Sequence, residues 1–367
     1  MKGKAVIIGA GALSLGFLGE RLASDYEIVF ADKAIKTSIL NALQNEKQYC
    51  LNICHLDGIE TVTVKGQFSA YNIDNCKEKN TFNQVLQEAD LIFTAVGNHN
   101  LPRVISQIAP IINGKSKKCF ILLCENGRNL AKIYQKNIDE SIVVDMVMSR
   151  MCRFAEPTEN SFLPLWERQQ DKLVVESYKF IPLNMEICSS NQFSNAFTLV
   201  QPAIFYAWED IKFYAHNGTH AFVAYHAYLD GIRYFPDINT KLRDKTREIL
   251  FQEICPALQR AHPNFQNKDL QEYAENLFKR ILNPFFNDSV ERGIRGILEK
   301  LKPNERLVSG LRFIYNQGII PTHYASTIRA GFEIASSMNM VTGSLKEFLK
   351  NHCGVIQNEL IQIILNK

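Results

Sequence analysis

Residues 212 to 220 read KFYAHNGTH, placing a lysine, an asparagine and two histidines within three helical turns, with Glu209 one turn earlier. At about 100° per residue, Glu209, Lys212, His216 and His220 fall within an arc of roughly 80°, and Asn217 widens it to roughly 140°. One face then carries a carboxylate, an amine, imidazole and an amide, among the largely apolar Phe213, Tyr214, Ala221 and Phe222. The chemistry this set suits is alcohol–ketone interconversion, in which hydride leaves the carbinol carbon for a nicotinamide ring and the hydroxyl proton goes to a base. A lysine serves as that base if burial lowers its pKa toward working pH. Asn217 is suited to donate to the developing oxyanion, His220 to bond a neighbouring hydroxyl, and Glu209 to pass the proton on to water. Taken singly, Lys212 reads as a solvated side chain and each histidine as a satisfied core residue. The group together carries the catalytic reading.

A nicotinamide cofactor needs its own site, and the N-terminus offers one. Gly9, Gly11 and Gly16 stand in GAGALSLG, after an apolar β-branched run and before a helical pattern. The first two glycines suit a tight turn that lets backbone approach a pyrophosphate on a helix N-terminus. Ser14 takes the usual third position, so the spacing departs from G-x-G-x-x-G. Asp32 ends the second apolar run, EIVFAD, where a carboxylate accepts from both ribose hydroxyls and repels a 2′-phosphate. NAD is therefore expected over NADP, with a strand-end cap as the plainer role for Asp32. FTAVGNHN closes a third run with Gly97 and Asn98, at the edge where a dinucleotide would lie.

These residues must be held by regular elements. Continuous apolar runs (KAVIIG, EIVFAD, DLIFTAVG, CFILLCEN) alternate with the amphipathic stretches KTSILNALQNE, FNQVLQEA and LPRVISQIAPII. That alternation predicts an α/β Rossmann-like domain with a parallel, doubly wound sheet. YCLNICHL and IETVTVKG flank Asp57-Gly58, which predicts a hairpin. Beyond about residue 206 the pattern is helical to the end, broken at Pro236, Pro263, Pro284, Pro303 and Pro321. The expected division is residues 1–200, binding the dinucleotide, and 201–367, an all-α catalytic and substrate domain.

Composition narrows the class. With 46% hydrophobic and 22% charged residues in 367, the chain has enough apolar material for two cores and is not disordered. A net charge of +3 gives no basis for a nucleic-acid or membrane partner. Nine cysteines lie mostly in apolar runs such as CFILLC, as buried small hydrophobes in a reducing, cytoplasmic compartment. Cys50, Cys54 and His55 form the tightest soft-ligand group and lack the further ligands of a closed zinc site, so no metal is expected. No leader pattern is visible, and no apolar run approaches about 18 residues.

The spacing K-x-x-x-x-N-x-x-H of Lys212, Asn217 and His220 resembles the signature of the long-chain polyol-specific dehydrogenases. GAGALSLGF resembles that family's glycine turn, departing at Ala12, Ser14 and Leu15. LCENGRN, 123 to 129, resembles its CEN element, and VVDM, 143 to 146, its VVDR element with Met146 in place of arginine. NGTH departs from the family's order while keeping the signature positions. The resemblance implies a Rossmann-like domain followed by a helical one, NAD as cofactor and a lysine base acting without a metal. It also implies that Asn126 helps hold the oxyanion.

NPFFNDSVERGIRGILEKLKPNERL, 283 to 307, resembles the sugar-phosphate branch. Arg292 and Arg295, at i and i+3, are expected on one helix face, where two guanidinium groups suit a phosphate dianion. Charge spacing alone equally allows a solvated face balanced by Glu291 and Glu299. The implied reaction is interconversion of mannitol 1-phosphate and fructose 6-phosphate. The alternatives are a free hexitol or hexuronate oxidoreductase, and an NAD-binding regulatory protein without turnover. The sequence leaves the oligomeric state open.

Overall fold

Ala5 through Ile8 of the first strand, β1 (Gly3–Ile8), are all buried, and alternate residues enter different cores. Ala5 and Ile7 join one apolar cluster, Val6 and Ile8 a second. A strand covered on both faces belongs in a parallel sheet flanked by helices. The computed structural model, which describes residues 3–188 and 193–366, contains that sheet. The chain divides into two compact units, Met1–Pro202 and Ala203–Lys367.

In chain order the further strands of the first unit are β2 (Tyr26–Asp32), β3 (Gln48–Cys54), β4 (Ile59–Lys65), β5 (Phe68–Asn72), β6 (Leu91–Thr94), β7 (Phe120–Leu123), β8 (Ile142–Asp145), β9 (Cys152–Phe154), β10 (Leu173–Glu176), β11 (Pro182–Asn184) and β12 (Thr198–Val200), the last two paired in parallel. Six of them form one sheet in the order β5-β2-β1-β6-β7-β8, with every neighbouring pair parallel. Helices Thr37–Glu46, Cys76–Glu88 and Leu101–Asn113 supply connections. The strand order reverses direction at β1 and β6, so the crevice for a ligand opens at their carboxyl ends. A second sheet, β4-β3-β10-β9, begins with the antiparallel β3–β4 hairpin around Asp57 and Gly58.

The second unit is helical, and the five expected breaking prolines all fall between α-helices. Its core is built on large buried side chains, among them Phe222, Tyr225, Phe286 and Tyr324. Close helix packing relies on glycine where helices cross. A Cβ at Gly293 would lie 2.4 Å from the Ala224 Cβ, so helix Val290–Ile294 sits directly against helix Asn217–Leu229. Among the described residues, no helix is long and apolar enough to cross a membrane.

Candidate active site

In the first unit the turn after β1 needs glycine at its first position. Gly9 has φ +104°, and a Cβ there would stand 2.4 Å from the Ala95 carbonyl oxygen. The Gly9 amide donates to the Ala31 carbonyl at 2.8 Å, and the Ala10 amide donates to Asp32 Oδ2 at 2.7 Å. Asp32 Oδ1 accepts from the Lys33 amide at 2.7 Å, so this carboxylate does cap the strand end. A carboxylate offers about four acceptor sites, and the two taken leave capacity for ribose hydroxyls. A Cβ at Gly11 meets nothing within 4 Å, nor does one at Gly97, which has φ +81°.

Gly9, Gly11, Asp32 and Val96 line a cavity of about 370 Å³ whose walls include the apolar Phe82 and Val104. That volume lies in the range of small-molecule sites. An open backbone cradle beside a strand-end carboxylate fits the adenosine and pyrophosphate of a dinucleotide. Gly16 has a different place. It is buried in the π-helical segment Ser14–Gly19, where a Cβ would stand 2.5 Å from Val175 Cγ1. It therefore permits helix–sheet packing and does not line the cavity.

The loop after β6 is tied to the segment after β7 by the carboxylate of Glu125, the middle residue of the CEN element. Glu125 is buried and accepts from Thr94 Oγ1 at 2.7 Å and from the Val96 amide at 2.9 Å. Burial pushes its carboxyl above the usual range, against those hydrogen bonds. Asn98 Nδ2 donates to the Asn126 carbonyl at 2.7 Å, so Asn98 and Asn126, assigned separately from sequence, are neighbours.

In the second unit, helix Pro202–Asp210 carries half-buried Glu209 and runs into a π-helical turn, Ile211–His216, before helix Asn217–Leu229. The Asn217 amide donates to the Lys212 carbonyl, an i→i+5 bond. A regular α-helix would set Asn217 about 140° around the axis from Lys212. The wider π-turn closes its backbone bond over the fifth residue and so narrows that angle. Asn217 thus sits closer to Lys212 than the helical wheel places it. Its side-chain Nδ2 is buried without a hydrogen-bond partner, and so is Thr219 Oγ1.

His220 Nε2 lies 2.8 Å from Oδ2 of the buried Asp288, and Arg292 Nε donates to Asp288 Oδ1 at 2.6 Å. Burial alone would raise the Asp288 carboxyl. The Arg292 charge and the His220 contact outweigh it and hold that group well below the usual carboxylate range. Burial lowers the His220 imidazole despite Asp288. Lys300 donates to the Gly293 carbonyl at 2.6 Å, and burial, reinforced by Arg306 and Arg292, brings its pKa down to about 7.

Asp288 was not singled out from the sequence, and Lys300 only as the basic residue that follows Arg292 and Arg295. The visible signal for Asp288 was its acid–arginine spacing of i, i+4 with Arg292. Arg295 does not share a helix face with Arg292. The helix ends at Ile294, Arg295 leaves it with ψ 135°, and Gly296 turns left-handed with φ +65°. Arg295 is exposed there.

Comparison with known proteins places both units together in one family. The Mannitol dehydrogenase Rossmann domain matches residues 3–156, and the Mannitol dehydrogenase C-terminal domain matches residues 205–350. The chain belongs to the mannitol dehydrogenase family. Membership makes it an oxidoreductase. Its relatives include the mannitol-1-phosphate 5-dehydrogenase of Halalkalibacterium halodurans, 28% identical over 90% of this chain and 87% of the relative. That of an Exiguobacterium species is 26% identical over 99% and 96%. Among solved structures, the chain is similar to Pseudomonas fluorescens mannitol 2-dehydrogenase in ternary complex with NAD and D-mannitol. There the TM-score is 0.68 at 12% identity, covering 90% of this chain and 78% of that one. A substrate-free D-sorbitol dehydrogenase gives 0.67 at 13% identity, covering 98% and 91%. These two structural likenesses concern the fold.

Proposed function

We propose that this mannitol dehydrogenase family member is an NAD-dependent dehydrogenase interconverting mannitol 1-phosphate and fructose 6-phosphate, with Lys212 as general base and no metal assigned. The observation that supports the reading is the π-turn, whose i→i+5 bond ties the Asn217 amide to the Lys212 carbonyl, together with the buried Asn217 Nδ2 that has no partner. An orphaned buried amide donor is what a developing oxyanion would satisfy. NAD, when bound, supplies the hydride acceptor. Lys212 takes the hydroxyl proton, and Glu209, one turn back, relays it. Asn217 and Asn126 are the assigned oxyanion donors. His220, oriented by Asp288, bonds a neighbouring hydroxyl, a second-tier support common where an imidazole must keep one tautomer. Gly9, Gly11, Asp32, Gly97 and Asn98 hold the cofactor, with Gly16 supporting the turn through packing. Nine free thiols suit a reducing cytoplasm.

The phosphate rests on the names of relatives such as that of H. halodurans and on Arg292 with Arg295. One observation favours a second reading, an unphosphorylated hexitol or hexuronate. Arg292 already serves Asp288, and Arg295 stands outside its helix. Following NADH oxidation against fructose 6-phosphate, fructose, fructuronate and tagaturonate decides. Turnover with fructose 6-phosphate alone supports the proposal. Turnover with an unphosphorylated ketose keeps the lysine mechanism and discards the phosphate site. Silence with all four, while NADH still binds, removes the catalytic reading of this panel and favours a regulatory role.

A further inference from the structure

His216 has no task in the mechanism above, yet its surroundings are those of a ligand contact. It ends the π-turn, directly before Asn217, and only 3% of it is exposed. Its Nδ1 is buried with no hydrogen-bond partner. Together with Asn217 Nδ2 and Thr219 Oγ1, this makes three orphaned polar atoms within four consecutive residues of the signature helix. Most buried polar atoms in folded proteins are paired, so the unpaired His216 Nδ1 one turn from the assigned base calls for a partner, which a bound molecule can supply.

The electrostatic setting is specific. Burial pushes the His216 imidazole well below its ordinary pKa, and the charges of Lys212, Arg280, His220 and Arg292 push in the same direction. Those four groups come from the π-turn, helix Asn217–Leu229 and the two helices Asn267–Ile281 and Val290–Ile294, and each lies near enough to act on the imidazole. His216 is therefore neutral through the working range, with one ring nitrogen a donor and the other an acceptor. His216 follows Lys212 by four residues, about one helical turn, and directly precedes Asn217, whose amide closes the π-turn on the Lys212 carbonyl. Asn217 is assigned the reacting oxygen, which leaves His216 for the adjacent carbon. A polyol chain presents there a hydroxyl that both donates and accepts, so it can pair with Nδ1 in either tautomer of the neutral imidazole.

We propose that His216 is a substrate-contact residue whose Nδ1 bonds a chain hydroxyl next to the reacting carbon, and so sets which polyols are accepted. The inference rests on the dehydrogenase reading above. Its test compares wild type, His216→Leu and His216→Gln with the ketose that wild type turns over and with its monodeoxy analogues. His216→Leu, close in bulk, should raise KM for the parent ketose about 10- to 100-fold. The NADH Kd should stay within about twofold, because the change lies outside the dinucleotide site.

One deoxy analogue should be poor for wild type yet no worse than the parent for His216→Leu. His216→Gln, which keeps a donor and an acceptor, should recover most of the loss and is the variant read if the leucine form fails to fold; its expected result is discrimination against that same analogue. Unchanged KM in His216→Leu, or an equal penalty on every deoxy analogue in all three proteins, would overturn the inference. Failure of wild type on every ketose would instead overturn the underlying dehydrogenase reading, a result seen before any variant is made.

Discussion

Asp288 is buried and keeps its charge because two partners share it, His220 at 2.8 Å and Arg292 at 2.6 Å. Breaking a buried ion pair by removing one member leaves an uncompensated charge and costs about 3 kcal/mol or more. Asp288→Asn should therefore lower the melting temperature of the helical unit. It should also raise KM for the sugar substrate by releasing His220, while NADH affinity is unaffected. The sign with pH is fixed by the direction of the shift. A folded-state pKa below the unfolded value of about 3.9 gives stability that is complete above that value. It is lost as pH falls through the unfolded and then the folded value. Denaturation curves for Asp288→Asn should accordingly show a shallower acid limb than wild type. A parallel limb would mean that Asp288 is not the group being protonated. At the carboxylate assigned to the cofactor, Asp32→Ser should narrow the preference for NADH over NADPH. Equal selectivity before and after the change would sink the ribose assignment.

At the scale of elements, the signature helix works through an irregularity that composition does not announce. Nothing in IKFYAH distinguishes a π-turn from an α-turn, because the choice is made by how the helix packs. A wheel drawn at 100° per residue placed Lys212, His216 and His220 on one face and left Asn217 at its edge. The i→i+5 bond changes that phase. Inserting an alanine after Ala215 would set Lys212 and Asn217 six positions apart, about 120° from one another around a regular α-helix. We expect turnover to fall at least about 100-fold, the order associated with losing an oxyanion donor, with NADH binding intact. Near-normal turnover in a folded insertion variant would show that the register of Lys212 and Asn217 is incidental.

The sequence-based expectation failed for the arginine pair for a related reason. Arg292 and Arg295 are correctly spaced for a helix, but this helix is five residues long and stops between them. Short helices end where Gly296 permits a left-handed turn, and spacing alone cannot locate that end. The Rossmann-like sheet was legible because strands buried on both faces read as unbroken apolar runs. Helix Thr322–Ser337 adds a partner that no periodicity reveals. Its first amides, His323 and Tyr324, donate to the distant Glu253 at 2.6 and 2.9 Å. Burial raises the Glu253 pKa to about 7, against those bonds. Because the folded pKa exceeds the unfolded one, this group's contribution is favourable at acid pH and is lost as pH rises through about 7. Relative to Glu253→Gln, wild type should lose about 3 kcal/mol of stability between pH 4 and pH 8. A pH-independent difference between the two would exclude Glu253 as the titrating group.

Across the whole molecule, the proposal divides labour between a unit that holds the cofactor and a unit that carries the base, and ligand-linked stability can test that division. A ligand that binds only the folded protein stabilises it by about 2.7 kcal/mol at one hundred times its Kd. For a unit of this size that is a rise of roughly 5–10 °C in the transition it controls. Unfolding of a two-unit chain need not be a single step, so the shift should be read on the transition that NADH moves. Lys212→Ala should keep the full shift while abolishing turnover, since the lysine is assigned chemistry and not cofactor binding. Gly11→Val gives the opposite signature. A Cβ at Gly11 meets nothing within 4 Å, so the substitution should leave the free protein's melting temperature close to wild type. The added side chain occupies the space assigned to the pyrophosphate, and the NADH shift should disappear along with turnover. If Gly11→Val keeps the shift, the open cradle after β1 is not where the dinucleotide binds. If Lys212→Ala loses it, the two roles are not separable by unit, and the lysine contributes to holding the cofactor.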